Sequence, residues 1–191
     1  DFTMSTKDHE IIFHNNGCDD FNITFVETGL DSLTGERVRK VKKYIDGDDF
    51  MVTYGDGLGD INIKELVDFH KKQDTLGTII GVKLVSRFGL LDIDHKNKKV
   101  KNFSQHEVTG FDKKSVEEAD YVNGGFMVFK KEALDLIPKD GMIEELFPIL
   151  VAKKELSVYT HPGKKWKCMD THKDLEEMNK LWKENPFWKI W

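Results

Sequence analysis

The sequence predicts an α/β domain built on a mixed, mainly parallel β-sheet with accessory β-hairpins. Two glycine-bounded apolar runs carry that prediction, "DFMVTY" (49–54) and "GTIIGVKLV" (77–85), with the amphipathic stretch "INIKELVDFHKKQ" (61–73) between them. Short continuous apolar runs suit strands buried on both faces, and strand–helix–strand alternation suits parallel pairing through a crossover helix.

Taken in order, "EIIFH" (10–14) and "FNITFVETG" (21–29) read as strands joined by the turn-rich "NNGCDD". "TGERVRKVKKYI" (34–45) reads as a helix, with Thr34 suited to the N-cap and Val38, Val41 and Ile45 on one face. In 61–73, Ile61, Leu66 and Phe69 point inward. "LLDIDHKNKKVKNFSQ" (90–105) predicts an antiparallel hairpin with a lysine-rich turn, and "DYVNGGFMVF" (120–129) a strand interrupted by two glycines. Helices follow at 131–137 and 142–153, then a second hairpin in "LSVYTHPGKKWKCMDT" (156–171) and a closing amphipathic helix in "KDLEEMNKLWKEN" (173–185).

The 191 residues are enough for one domain with a sizeable core, and 39% hydrophobic against 33% charged residues marks a folded chain. A net charge of −5 speaks against a nucleic-acid partner, because phosphate-tracking surfaces are basic. The densest basic run, "VRKVKK" (38–43), suits a solvated helix face. No run approaches the roughly 18 apolar residues of a membrane span, so no membrane partner is expected. Two distant cysteines, Cys18 and Cys168, give neither a disulfide framework nor metal-type spacing, which fits a reducing, cytoplasmic setting.

Four features carry candidate chemistry. Asp56, in "YGDG", ends an apolar strand between glycines, and ligands of doubly wound folds sit outside such strand ends. It reads equally as a Mg²⁺ ligand and as a turn aspartate, whereas Asp60 reads as the cap of the following helix. Asp170, after "WKCM", is a second strand-end aspartate just before a helix, and taken alone it reads as that helix's cap. In "VNGG" (122–125) the glycines mark a β-bulge or a close ligand approach, and Asn123 offers both a donor and an acceptor to a sugar. Arg37, at a loop-to-helix junction, reads as a phosphate contact or as an exposed arginine.

"VETGLDSLTGERVRKV", "FMVTYGDGLGDINI", "RFGLLDID", "VNGGFMVF", "WKCMDT" and "NPFWKIW" occur in this order over essentially the whole chain. Together they resemble the glucose-1-phosphate cytidylyltransferases of the sugar nucleotidyltransferase superfamily. That resemblance implies a Rossmann-like, GT-A-like nucleotidyltransferase fold. It implies transfer of CMP from CTP to a sugar 1-phosphate with Mg²⁺ as cofactor, so the expected partners are CTP and the sugar phosphate. By motif, the metal-binding and catalytic aspartates fall on Asp56 and Asp170, and nucleotide contacts on Thr34, Gly35, Arg37 and Asp56. Sugar-phosphate contacts fall on Gly89, Asn123 and Gly124 and, where "FSQHE" (103–107) replaces the family's "FQEKP", on Gln105 and His106. His106 would carry only part of the charge of the lysine it replaces. Glu36 stands where the family's "TGGR" has its second glycine.

The family's glycine-rich phosphate loop has no counterpart here. The resemblance therefore implies one nucleotidyltransferase domain, residues 1–191, lacking its first βαβ portion, with apolar edges at 49–54 and 77–85 left bare. Two other readings stand beside it. One is a non-catalytic sugar-nucleotide-binding or regulatory module; the other is a glycosyltransferase whose DxD motif "DID" (92–94) imitates, although alternating acids also suit a hairpin facing water. Phe187, Trp188 and Trp191 predict a homo-oligomer contact, since large apolar patches seldom stay bare.

Overall fold

A computed structural model describes residues 2–14, 22–83, 90–94, 96–104, 121–161 and 165–190. The elements in chain order are β1 (Phe2–Ser5), β2 (Glu10–Phe13), α1 (Thr34–Lys40), β3 (Asp49–Thr53), β4 (Gly57–Gly59), α2 (Ile63–Gln73) and β5 (Gly77–Lys83). They continue with β6 (Leu90–Asp94), β7 (Lys99–Ser104), β8 (Tyr121–Lys130), α3 (Leu146–Lys153), β9 (Leu156–Thr160), β10 (Trp166–Cys168) and α4 (His172–Glu184).

The central sheet runs β3-β8-β5-β9. β8 is antiparallel to both neighbours, while β9 pairs parallel with β5. Three of the four strands therefore point one way and only β8 runs against them. The sheet is mixed, as predicted, but two of its three pairings are antiparallel, because β8 inserts between β3 and β5. Its core-facing side chains, Met127 and Phe129 of β8, meet Leu134, Ile137, Ile143, Leu146 and Leu150 from the chain that follows β8. Each such burial contributes about 1.5–3 kcal/mol.

Because it lies between β8 and β9, β5 has no bare edge, contrary to the expectation for 77–85, and it is buried nearly throughout, as its apolar run predicts. β3 is not. It lies at the sheet edge among the described strands, and Met51 is 46% exposed. An edge strand has one hydrogen-bonded neighbour, so its run is half-covered instead of doubly buried.

Several local expectations change. Residues 22–29 form no strand, and Ile23 and Phe25 stand exposed. The helix from Thr34 stops at Lys40 and continues as a 3-10 turn, Lys42–Tyr44, where β-branched Val38 and Val41 weaken helix propensity. Val38 and Ile45 still pack on the core. Residues 131–136 are 3-10 helix, and Ile143–Glu145 is a 3-10 turn leading into α3. The 90–105 hairpin forms as β6 and β7. The 156–171 hairpin does not: β9 joins β5, and β10 pairs antiparallel with β4.

The caps move as well. Leu33, not Thr34, is the N-cap of α1, and Asn62, not Asp60, caps α2 by accepting from the Glu65 N–H. On α2's inner face Ile61 and Leu66 are buried as predicted, Phe69 packs on Tyr159 at 5.3 Å between ring centroids, and His70 is 1% exposed. The terminal aromatics fold back: Phe187 and Trp188 meet edge to face at 4.9 Å, and Trp188 stacks on Trp182 at 6.5 Å. Phe187 and Trp188 are half-buried within their own chain, and Trp191 lies outside the described residues. No helix among the described residues is long and apolar enough to cross a membrane.

Candidate functional site

The three codirectional strands β3, β5 and β9 end on one side of the sheet, and Asn123 and Gly124 of β8 and the turn to Asp56 lie at that side. β3 ends at Thr53, paired with Phe126, and the β5–β8 register jumps between Ile79↔Met127 and Gly81↔Asn123. That jump is the β-bulge that "VNGG" announces, with Gly124 and Gly125 inside it.

Both glycines are sterically required. A side chain on Gly124 would lie 2.7 Å from Val82 Cγ1, and Gly125, at φ +78°, would meet Tyr54 Cδ2 at 2.8 Å. Asn123 Oδ1 accepts from the Gly125 N–H at 3.0 Å, so the side chain braces the bulge and its Nδ2 lies outside that bond.

After β3 the chain turns through Tyr54, Gly55 and Asp56 into β4. The β4–β10 ribbon, with Cys168 opposite Gly57, continues one step further as the Met169 N–H donates to Asp56 O at 2.8 Å. Asp56 and Asp170 therefore end adjacent strands, 114 positions apart in sequence but one residue out of register. Both are exposed. Asp170 Oδ2 accepts from Cys168 Sγ at 2.8 Å.

Trp166 fastens this ribbon to the sheet. Its Nε1 donates to Gly124 O at 2.9 Å, and its ring lies along the side-chain-free face of Gly57 and Gly59. The structure thus sets the backbone at Gly57, next to Asp56, beside Gly124, with Met169, next to Asp170, bonded to Asp56 O. Asp60, in contrast, is bound to His161 Nε2 at 2.7 Å and accepts from the Lys165 N–H at 3.3 Å. It ties the end of β9 to the ribbon.

The nucleotide-side candidates sit on α1. Thr34 Oγ1 accepts from the Ile143 N–H at 3.1 Å. Gly35 is pressed against the 141–142 backbone, where a Cβ would lie 2.8 Å from Gly141 O. Arg37 donates to Thr28 Oγ1 at 2.7 Å and Leu30 O at 3.0 Å. Glu36 is buried and takes both arms of Arg39 at 2.8 Å, a bond that holds its carboxyl below the usual range. Gly89, Gln105 and His106 lie outside the described residues, and so does Cys18.

Tyr54 and Glu144 carry no sequence signal as site residues, yet they join the two sides. The Tyr54 hydroxyl donates to Glu144 Oε1. Burial pushes the Tyr54 phenol well up, followed by its bond to Glu144, the Glu144 charge and the charge of Asp56.

Two exposed carboxylates on neighbouring strand ends suit Mg²⁺, which takes one or two protein carboxylates and fills the rest of its shell with phosphate oxygens and water. No cluster of three or more His, Cys, Asp or Glu residues occurs among the described residues. A two-carboxylate donor set is compatible with that.

Comparison with known proteins decides the family. The nucleotidyl transferase family matches residues 12–185. This chain belongs to the nucleotidyl transferase family. It is 39% identical over 175 residues to the "Probable glucose-1-phosphate cytidylyltransferase" of Bacillus subtilis, covering 90% of this chain and 64% of that protein. To the glucose-1-phosphate cytidylyltransferase of Salmonella typhi it is 33% identical, covering 100% of this chain and 72% of the relative. The chain thus spans about two thirds of the length of these relatives.

Among solved structures, one assigned as a glucose-1-phosphate thymidylyltransferase from Bacillus anthracis aligns with TM-score 0.56 at 15% identity, over 80% of this chain and 62% of that one. HddC from Yersinia pseudotuberculosis aligns with TM-score 0.51 at 21% identity, over 78% and 62%. These two support the fold, a mixed α/β nucleotidyltransferase domain.

Proposed function

We propose that this chain carries the metal-side part of a Mg²⁺-dependent cytidylyltransferase. The reaction transfers CMP from CTP to a sugar 1-phosphate, with α-D-glucose 1-phosphate the first candidate, and gives a CDP-sugar and pyrophosphate. The observation that carries this reading is the Met169 N–H bond to Asp56 O, which sets Asp170 one residue out of register with Asp56 beyond the β4–β10 ribbon, in a chain up to 39% identical to named cytidylyltransferases.

In the reaction a phosphate oxygen of the sugar 1-phosphate attacks the α-phosphorus of CTP. The bond from that phosphorus to the bridging oxygen breaks, and pyrophosphate leaves with the electron pair. Catalysis of this kind is mostly positioning and charge neutralisation. When bound, Mg²⁺ would supply neutralisation of the phosphate charge, held by Asp56 and Asp170. Arg37 adds positive charge from α1, and Asn123 Nδ2 offers a donor to a sugar hydroxyl.

The test is pyrophosphate release from CTP with Mg²⁺, measured with and without glucose 1-phosphate. Release should require the sugar phosphate, and Asp56→Asn should lower it by about a hundredfold or more, the scale of losing a metal's charge stabilisation. Asp56 is exposed, so its melting temperature should stay close to wild type. Full activity in Asp56→Asn would sink the assignment. Binding of CTP and sugar phosphate without turnover, in wild type, would favour a non-catalytic sugar-nucleotide module.

A further inference from the structure

We propose that the segment 141–145 is a strut that holds the Asp56 turn in register with α1, and that Glu144 is a positioning residue acting on Asp56 through Tyr54. This inference rests on the metal reading given under Proposed function.

The strut has two arms. Toward α1, the Ile143 N–H donates to Thr34 Oγ1, and Gly141 O accepts from the Glu36 N–H at 3.2 Å. Gly35 permits that approach, because any side chain there would strike the 141–142 backbone. Toward the metal side, the Glu144 carboxylate takes the Tyr54 hydroxyl. The strut itself is fixed: Ile143 and Leu146 are each 1% exposed, and Glu145 Oε1 accepts from the Met142 N–H at 2.9 Å.

Tyr54 is clamped at both ends. Its N–H donates to Gly125 O at 3.1 Å, and its ring fills the space a side chain on Gly125 would need. Gly55, by contrast, is in open space, with no atom within 4 Å of the position its Cβ would take. Tyr54 is therefore the last packed side chain before Asp56. Glycine's conformational freedom leaves the carboxylate direction undetermined from that side unless Tyr54 is held. A carboxylate 90 positions away in sequence holds it. A surface-exposed glutamate committed to a distant phenol is better explained by this hold than by solvation, since exposed charges gain little from local pairing.

The experiment is Mn²⁺ binding in the presence of CTP, followed by the electron paramagnetic resonance signal of free Mn²⁺. It uses wild type, Asp56→Asn, Glu144→Ala, Tyr54→Phe and the Glu144→Ala/Tyr54→Phe double variant. Glu144→Ala and Tyr54→Phe should each weaken Mn²⁺ binding about tenfold, the lower end for groups that orient a metal ligand. The double variant should bind no more weakly than either single one, because both changes break one bond. Weakened binding in Asp56→Asn with wild-type binding in both Glu144→Ala and Tyr54→Phe would overturn the strut and leave the metal reading standing. Wild-type binding in Asp56→Asn would overturn both. Lower melting temperatures in Glu144→Ala and Tyr54→Phe with unchanged Mn²⁺ affinity below the transition would reduce Glu144 to a structural role, which also overturns the inference.

Discussion

Trp166→Phe isolates the bond that moors the site-bearing ribbon. Phenylalanine keeps an aromatic ring against Gly57 and Gly59 but deletes the indole N–H that Gly124 O accepts at 2.9 Å. Gly124 is buried inside the bulge, so the carbonyl loses its partner where water has poor access. An acceptor stranded in this way costs about 1–3 kcal/mol. For a chain of this length that lowers the melting temperature by about 2–4 °C per kcal/mol, hence by roughly 2–12 °C. Differential scanning calorimetry reads this directly. Because β4 and β10 carry Asp56 and Asp170 at their ends, Mn²⁺ affinity at 20 °C, well below the transition, should also fall. A melting temperature within 1 °C of wild type would show that the indole bond carries nothing. A lower melting temperature with unchanged Mn²⁺ binding would show that the ribbon's mooring is irrelevant to the metal side.

Two further substitutions test the nucleotide-side helix and the buried histidine. Gly35→Ala drives a methyl to within 2.8 Å of Gly141 O and of the Met142 carbonyl carbon, both backbone atoms, and should cost about 1–3 kcal/mol with no nucleotide present; an unchanged melting temperature would refute the packing role. His70 is buried, with Nδ1 2.8 Å from Thr78 Oγ1, and burial lowers its pKa below the ordinary 6.5. The unfolded chain therefore takes up this proton first as pH falls, so stability is full above pH 6.5 and is lost below it, by at most about 1.4 kcal/mol per pH unit for one group. His70→Gln should flatten the melting-temperature profile between pH 7 and 5, and parallel profiles for the two proteins would refute this.

Much of the sheet was legible because burial leaves a pattern in the sequence. The run 77–83 has no polar face to show and lies inside the sheet; α2 shows its apolar stripe at Ile61, Leu66 and Phe69. The strand-end positions of Asp56 and Asp170 were legible for a similar reason, since each follows an apolar run and stands just outside its end. What local pattern could not supply was the choice of partner. Residues 156–171 look like a hairpin because two short runs flank turn residues, but β9 finds a better-buried neighbour in β5, about 80 positions earlier. β10 is then free to take β4 and set Met169, next to Asp170, against Asp56. Tyr54 and Glu144 were missed on the same ground: a bond spanning 90 positions has no periodicity.

Charge at α1 shows how a departure in sequence can leave a site's electrostatics intact. Glu36, in place of a glycine beside Arg37, would be expected to cancel the positive charge meant for phosphate. The structure turns its carboxylate instead to Arg39, both arms at 2.8 Å, with Lys40 Nζ at 3.7 Å. A bidentate pair held this way satisfies the acid in place. Arg37 is left with neutral partners, the Thr28 hydroxyl and the Leu30 carbonyl. Those use two of its five N–H donors, so the guanidinium can hold the loop before α1 and still present charge and donors to a phosphate. Glu36 and Arg39 thus form a closed pair that braces α1 and leaves the Arg37 charge uncancelled by Glu36.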